Sequence, residues 1–113
     1  VGGGGYDVTI HVPITFSQAV LGDDVEVPTV DGRIVQHIPE GTQSGTKFRL
    51  RGQGIQYLNG RGRGDQYVIV DVEIPKKVTR AQREALKAFE DSMKEDNYEK
   101  RKGFFKNLRD RFS

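Results

Sequence analysis

No cysteine occurs in this chain. A disulfide framework and a thiolate metal site are therefore excluded, and a reducing compartment is permitted. Also missing is any apolar run near the ~20 residues that a bilayer-spanning helix requires. Val1 and the run Gly2 to Gly5 contain neither a charged n-region nor an apolar h-region, so a secretory signal is not expected. Charge of one sign is scarce too. The formal net charge is only +2, with a pI near 9.0, and this balance demands no nucleic-acid partner. The sign is unevenly spread, because the chain turns basic from Lys100 onward. A four-glycine run cannot fold by itself, so residues 1–5 are expected to be a linker or cloning remnant, and the absent Met start suggests a fragment.

What is present suits one small domain with an appendage: 113 residues, 35% hydrophobic and 30% charged. The centre of the chain is the stretch 39–67, PEGTQSGTKFRLRGQGIQYLNGRGRGDQY, in which two glycine-dense connections flank one apolar segment. Phe48 and Leu50 alternate there with Lys47, Arg49 and Arg51, the period of a half-buried strand.

Other strands are expected on the same ground. Val8, Ile10 and Val12 alternate with polar residues until Pro13, and Val25 and Val27 do so until Pro28. Asp31-Gly32 signals a hairpin, with Arg33 to Ile38 returning. Ile34 and Ile38 share a face that Gln36 interrupts. Val68, Val70, Val72 and Ile74 form the most regular strand, ended by Pro75. A short helix after Thr15 is announced by a capping box with Gln18 and stopped at Gly22, with Phe16, Ala19, Val20 and Leu21 as its apolar side. After Val78 the period changes to about 3.6. Thr79 and Gln82 repeat the capping box, Ala81, Ala85, Leu86, Phe89 and Met93 form a stripe, and Glu90 and Lys94 are spaced for an ion pair. The polar segment from Asp96 to Lys102 is expected to be a loose linker. Phe104, Phe105, Leu108 and Phe112 then mark a last amphipathic piece.

The chemistry-bearing motifs are thin. Arg61-Gly62-Arg63-Gly64 is followed by a strand rather than a helix, and no Lys-Ser or Lys-Thr pair stands where a phosphate-binding loop needs one. An RNA-binding reading, with bases stacking on Tyr57 or Tyr67, rests on one short run. A tight strand connection with solvated arginines accounts for it as well. His11 and His37 have no third ligand at metal spacing. No Ser, His and Asp can be ordered into a triad, so no enzyme is expected. The terminal stripe reads as an interface on a basic segment, with a membrane surface as the alternative partner.

Taken together, Asp7-Val8, TFSQAVLGDDVEVPTVDG (15–32), IPEGTQSGTKFRLRGQGI (38–55), LNGRGRGDQYV (58–68), VEIPKKVTRAQREAL (72–86) and KGFFKNLRDRF (102–112) closely resemble the bacterial DnaJ co-chaperone family. The match is to its second C-terminal β-domain and the dimerisation region after it, and it covers nearly everything from Tyr6 onward. Gln36 replaces an apolar strand residue of the family, and the glycines at 2–5 replace a polar segment.

The resemblance implies a mainly β fold: a small antiparallel β-sandwich with one short helix over residues 6–75, then C-terminal helices over 76–113. It implies unfolded polypeptides as clients, a homodimer, and work in the cytoplasm with a DnaK-type chaperone ATPase. The family's ATPase-stimulating His-Pro-Asp motif and its zinc-holding Cys-x-x-Cys-x-Gly-x-Gly repeats are absent from this sequence, so neither activity nor cofactor is expected of it. An extended client would add beside the first or second strand, with Ile10, Phe16 and Val27 as shallow contacts. Leu86, Phe89, Met93, Phe104, Phe105, Leu108 and Phe112 would carry dimerisation. The rival readings are a dimerising spacer that touches no client, and an RNA-binding module using the Arg-Gly loop.

Overall fold

The computed structural model describes residues 5–112, so all but Gly5 of the expected linker lies outside the described residues. The chain divides into two compact units, Val1–Ile74 and Pro75–Ser113.

The first unit is built from five strands and one helix: β1 (Val8–Ile14), α1 (Phe16–Leu21), β2 (Asp23–Thr29), β3 (Gly32–Ile38), β4 (Lys47–Leu50) and β5 (Gln66–Val72). They form a three-stranded sheet in the order β1-β5-β4 and a two-stranded sheet of β2 and β3. The mainly β expectation holds, with one difference in direction. β4 with β5 and β2 with β3 are antiparallel, whereas β1 lies parallel to β5. Parallel neighbours need a crossover, and the whole hairpin and both glycine-dense connections form it.

The period-two patterns explain the core. Val8, Ile10, Val12 and Ile14 stand opposite Gln66, Val68, Val70 and Val72 in register, and Phe48 pairs with Val68 on the other side. This face meets Val27 and Ile38 of the hairpin and Ala19 of α1 in one buried cluster with Ile14, Val68 and Val70. Gln36 stays half-buried on the inner side of β3 and turns its amide to the His37 carbonyl at 2.8 Å.

Two expected strand ends move. β1 runs through Pro13 and β2 through Pro28. Both are edge strands of their sheets, where a missing N–H breaks no ladder bond. The hairpin loop is Val30-Asp31, with Gly32 already paired to Thr29. Ile74 falls outside β5 and is largely exposed.

The two glycine-dense connections have separate tasks. Residues 39–46 close the end of α1, where Gly41 and Thr42 donate to the Val20 and Ala19 carbonyls. Residues 52–65 instead clasp the start of the chain. The Tyr6 carbonyl accepts from the Ile55 amide at 2.8 Å. It sits 2.6 Å from where a Cβ on Gly54 would stand, and still closer to one on Gly64. Both glycines are buried, so the close approach requires them.

The second unit holds α2 (Arg80–Ser92), a 3₁₀ turn (Glu95–Asn97) and α3 (Glu99–Phe112). Thr79 and Gln82 form the expected capping box. The expected loose linker is instead ordered into the 3₁₀ turn and the first turn of α3. Lys102 reaches back to Asp96 at 2.5 Å, and the Lys94 amide donates to Asn97 Oδ1 at 2.8 Å. Among the described residues Glu90 forms no ion pair with Lys94. Its carboxylate lies 3.4 Å from the Tyr98 hydroxyl.

Candidate functional site

On the first unit α1 presents an open apolar patch. The Thr15 hydroxyl accepts from the Gln18 amide, and the Gln18 side chain accepts from the Thr15 amide in return. This box sets the helical frame, and within that frame Ala19 alone is buried. Phe16 and Val20, one turn apart, and Leu21 are left 43%, 39% and 70% exposed.

Of the three side chains expected to contact a ligand, Phe16 is thus at the surface. The other two are less open. Val27 is 1% exposed and belongs to the core, because its face of β2 is the one turned to the larger sheet. Ile10 is half-buried against the same core, since it shares the inward register of Val8, Val12 and Ile14. Val20 and Leu21 were legible as apolar but not as outward-facing. The smallest apolar residue of the helix, Ala19, was the clue, because only a small side chain fits where the helix approaches a packed sheet.

The same unit also has two strand edges. Among the described residues β1 has only β5 as a partner strand, and β2 only β3. Their polar sides carry cross-strand pairs, with His11 Nδ1 2.8 Å from Asp71 and His37 Nδ1 2.8 Å from Asp24. Neither pair is joined by a third metal-ligating side chain. Among the described residues no group of three exists.

Two of the four arginines of the glycine-rich stretch, Arg49 and Arg63, are tethered to carboxylates. Arg49 grips Asp65 through Nε at 2.7 Å and a terminal nitrogen at 2.6 Å. Asp65 also accepts the Gly52 amide at 2.9 Å, and its own amide donates to Asp7. The Gly52 amide, then the Arg49 guanidinium, hold the Asp65 carboxyl below its ordinary range. Arg63 is engaged by Asp31 of the hairpin loop. An arginine committed to a carboxylate is a poor phosphate ligand, which weakens the nucleic-acid reading.

On the second unit the stripe of α3 is open, with Phe104, Phe105, Leu108 and Phe112 at 61%, 37%, 41% and 77% exposed. Phe104 and Phe105 meet edge to face at 5.1 Å, and the Arg101 guanidinium lies over the Phe105 ring at 4.7 Å. On α2 Leu86 is exposed, whereas Phe89 and Met93 are half-buried. A groove of about 350 Å³ opens between the end of α2 and α3, floored by Met93, Tyr98 and Phe105 and rimmed by Glu90, Arg101 and Arg109. Burial, with Glu90 nearby, raises the Tyr98 hydroxyl's pKa, and pairing with Lys102 lowers that of Asp96. No helix among the described residues is long and apolar enough to cross a membrane.

Comparison with known proteins gives these surfaces a family. Residues 4–75 match the DnaJ C terminal domain, and residues 81–113 match the Chaperone protein DnaJ C-terminal region. Chaperone protein DnaJ of Ruminiclostridium cellulolyticum is 52% identical over 96% of the chain, and that of Acetivibrio thermocellus 50% over 94%. The Clostridioides difficile protein is 49% identical over 96%. The chain spans 28% of the length of each of these relatives. Two matched segments in the same order, one for each compact unit, show that the chain belongs to the DnaJ chaperone family and represents its C-terminal region.

Proposed function

We propose that this chain is a polypeptide-binding and self-associating module without catalytic chemistry of its own. In a full-length DnaJ protein it would help present unfolded clients to a DnaK-type ATPase in the cytoplasm. The observation that carries the reading is the outward apolar side of α1, Phe16, Val20 and Leu21, in a unit whose β1 and β2 are edge strands. An extended client adds to such an edge through backbone hydrogen bonds that read no particular sequence, while shallow apolar contacts add affinity. Pro13 and Pro28 limit the usable edges to Val8 through Val12 and Asp23 through Val27, because a proline offers no N–H. Ile10 and Val27 support these strands from the core side. The stripe of Phe104, Phe105, Leu108 and Phe112, with Leu86, Phe89 and Met93, is the proposed dimer surface, and pairing two modules raises avidity for a long client. No cofactor enters this reading: the family's zinc is held by cysteine repeats, and this sequence has no cysteine.

A backbone-amide NMR titration with a permanently unfolded polypeptide, repeated with a short RNA, tests it. Saturable shifts at residues 8–12, 16–21 and 24–29 with the polypeptide alone are expected. The second reading, a dimerising spacer without client contact, draws on the inward placement of Ile10 and Val27 and on the prolines in both edges. Silence with both ligands selects it.

A further inference from the structure

The tip between Gly52 and Asp65 carries a chemical feature that polypeptide binding does not use. Asn59 precedes Gly60, and both are exposed. Asn59 Oδ1 accepts the Arg61 amide at 2.9 Å. This Asx turn folds the carboxamide back along the chain, beside the Gly60 nitrogen. Gly60 has no Cβ to shield that nitrogen, and no heavy atom lies within 4 Å of where one would stand. We infer that Asn59 is a site of spontaneous deamidation, a covalent modification that the fold leaves accessible.

The reaction needs only water. The Gly60 amide gives its proton to water or hydroxide, and the nitrogen's electron pair attacks Asn59 Cγ. The Cγ–Nδ2 bond then breaks, ammonia departs with a proton from solvent, and a succinimide remains. Water opens this ring at either carbonyl, leaving aspartate or isoaspartate. No oxidant, reductant or enzyme enters. The Arg61 N–H already polarises the attacked carbonyl and faces the oxyanion that the attack creates.

One contact opposes the step. The Gly60 N–H donates to the Tyr57 carbonyl at 2.9 Å, so the tip must open before the nitrogen can attack. Opening costs little core, because Leu58 beside it is 93% exposed. The tip is held by backbone bonds, including Tyr57 N–H to the Gly62 carbonyl at 2.8 Å. The product places a carboxylate next to Arg61. In the isoaspartate form it also adds a methylene to the main chain, which breaks the register of the Gln56–Arg63 bridge.

The chain holds its own controls. Asn97 precedes Tyr98 with its Oδ1 engaged by the Lys94 amide, and Asn107 precedes Leu108 inside α3. The folded protein is incubated at neutral and mildly alkaline pH and then digested. The three asparagine peptides are quantified by mass spectrometry, with isoaspartate identified by enzymatic methylation. Asn59 is expected to convert about tenfold or more faster than Asn97 and Asn107, since only Gly60 lacks a side chain beside the attacking nitrogen. The rate should rise with pH, and Asn59→Gln should abolish the signal while the other two peptides behave as before. Conversion of Asn59 no faster than at the two control sites, or at a rate indifferent to pH, overturns the inference.

Discussion

The Gln66 side-chain amide donates to the Pro28 carbonyl at 2.6 Å, and so ties the central strand of one sheet to the edge strand of the other. Gln66 is 1% exposed and sits on the inward face with Val68 and Val70. A buried amide there is tolerated because it has a hydrogen-bond partner, the carbonyl of Pro28 on an edge strand. Gln66→Ala should cost about 2–4 kcal/mol through the cavity and the lost bond together. Gln66→Met, which keeps most of the volume, should cost about 1–2 kcal/mol. Urea unfolding separates the two. A methionine variant as stable as the parent would mean that the bond adds nothing beyond the packing.

The clasp around Tyr6 makes an opposite pair of predictions for two glycines of one connection. A Cβ on Gly64 would strike the Tyr6 backbone carbonyl, which has nowhere to go, whereas a Cβ on Gly52 meets nothing within 4 Å. Gly52 has φ +69, so Gly52→Ala carries only the left-handed backbone cost, about 1–2 kcal/mol. Gly64→Ala should be far worse, releasing the first strand or preventing folding. Thermal unfolding followed by circular dichroism ranks them, and equal losses would remove the steric account.

The sequence revealed the pieces better than their meeting. Period-two alternation located the strands, and Thr15 with Gln18 and Thr79 with Gln82 marked the starts of α1 and α2, because these signals are local. The contact of Gly54 and Gly64 with Tyr6 was not legible: a glycine required by a neighbour distant in the chain looks the same as one required by a turn. The inward turn of Val27 and Ile10 was missed for a related reason. Alternation says that a strand has two faces, but only the second sheet decides which one is covered. Gln66 was overlooked because a polar residue at a strand start reads as solvent-exposed until its distant acceptor is known.

Acid should loosen the same clasp through Asp65. Its carboxyl is held below the ordinary value of 3.8, first by the Gly52 amide and next by Arg49. A carboxylate with a depressed folded pKa contributes stability that is fully present above the unfolded value and disappears as pH falls through the folded one. The parent should therefore lose stability below about pH 4, with the fall extending below 3.8. Asp65→Asn should be less stable at neutral pH and show a shallower acid limb. Urea midpoints measured against pH for both proteins check this, and superimposable acid limbs would exclude Asp65 as the source.

The proposed self-association surface yields the prediction that bears most directly on function. Phe104, Leu108 and Phe112 recur every four residues and Phe105 lies beside them, so the four cover roughly a 100° arc of α3. The opposite side carries Lys106 and Asp110. This face is open on a helix that buries none of its residues, and it is the face that the proposed dimer would cover. Leu108→Asp places a charge in the centre of the arc, and full burial of a leucine is worth about 1.5–3 kcal/mol. Dimer dissociation should therefore rise by roughly tenfold to a hundredfold. Lys106→Asp introduces the same carboxylate on the polar side and should leave association nearly unchanged. Sedimentation equilibrium of the parent and both variants, with helicity checked by circular dichroism, separates the stripe from the charge. Equal weakening by the two substitutions would assign the effect to electrostatics. A parent that stays monomeric at high concentration would remove the dimer surface altogether.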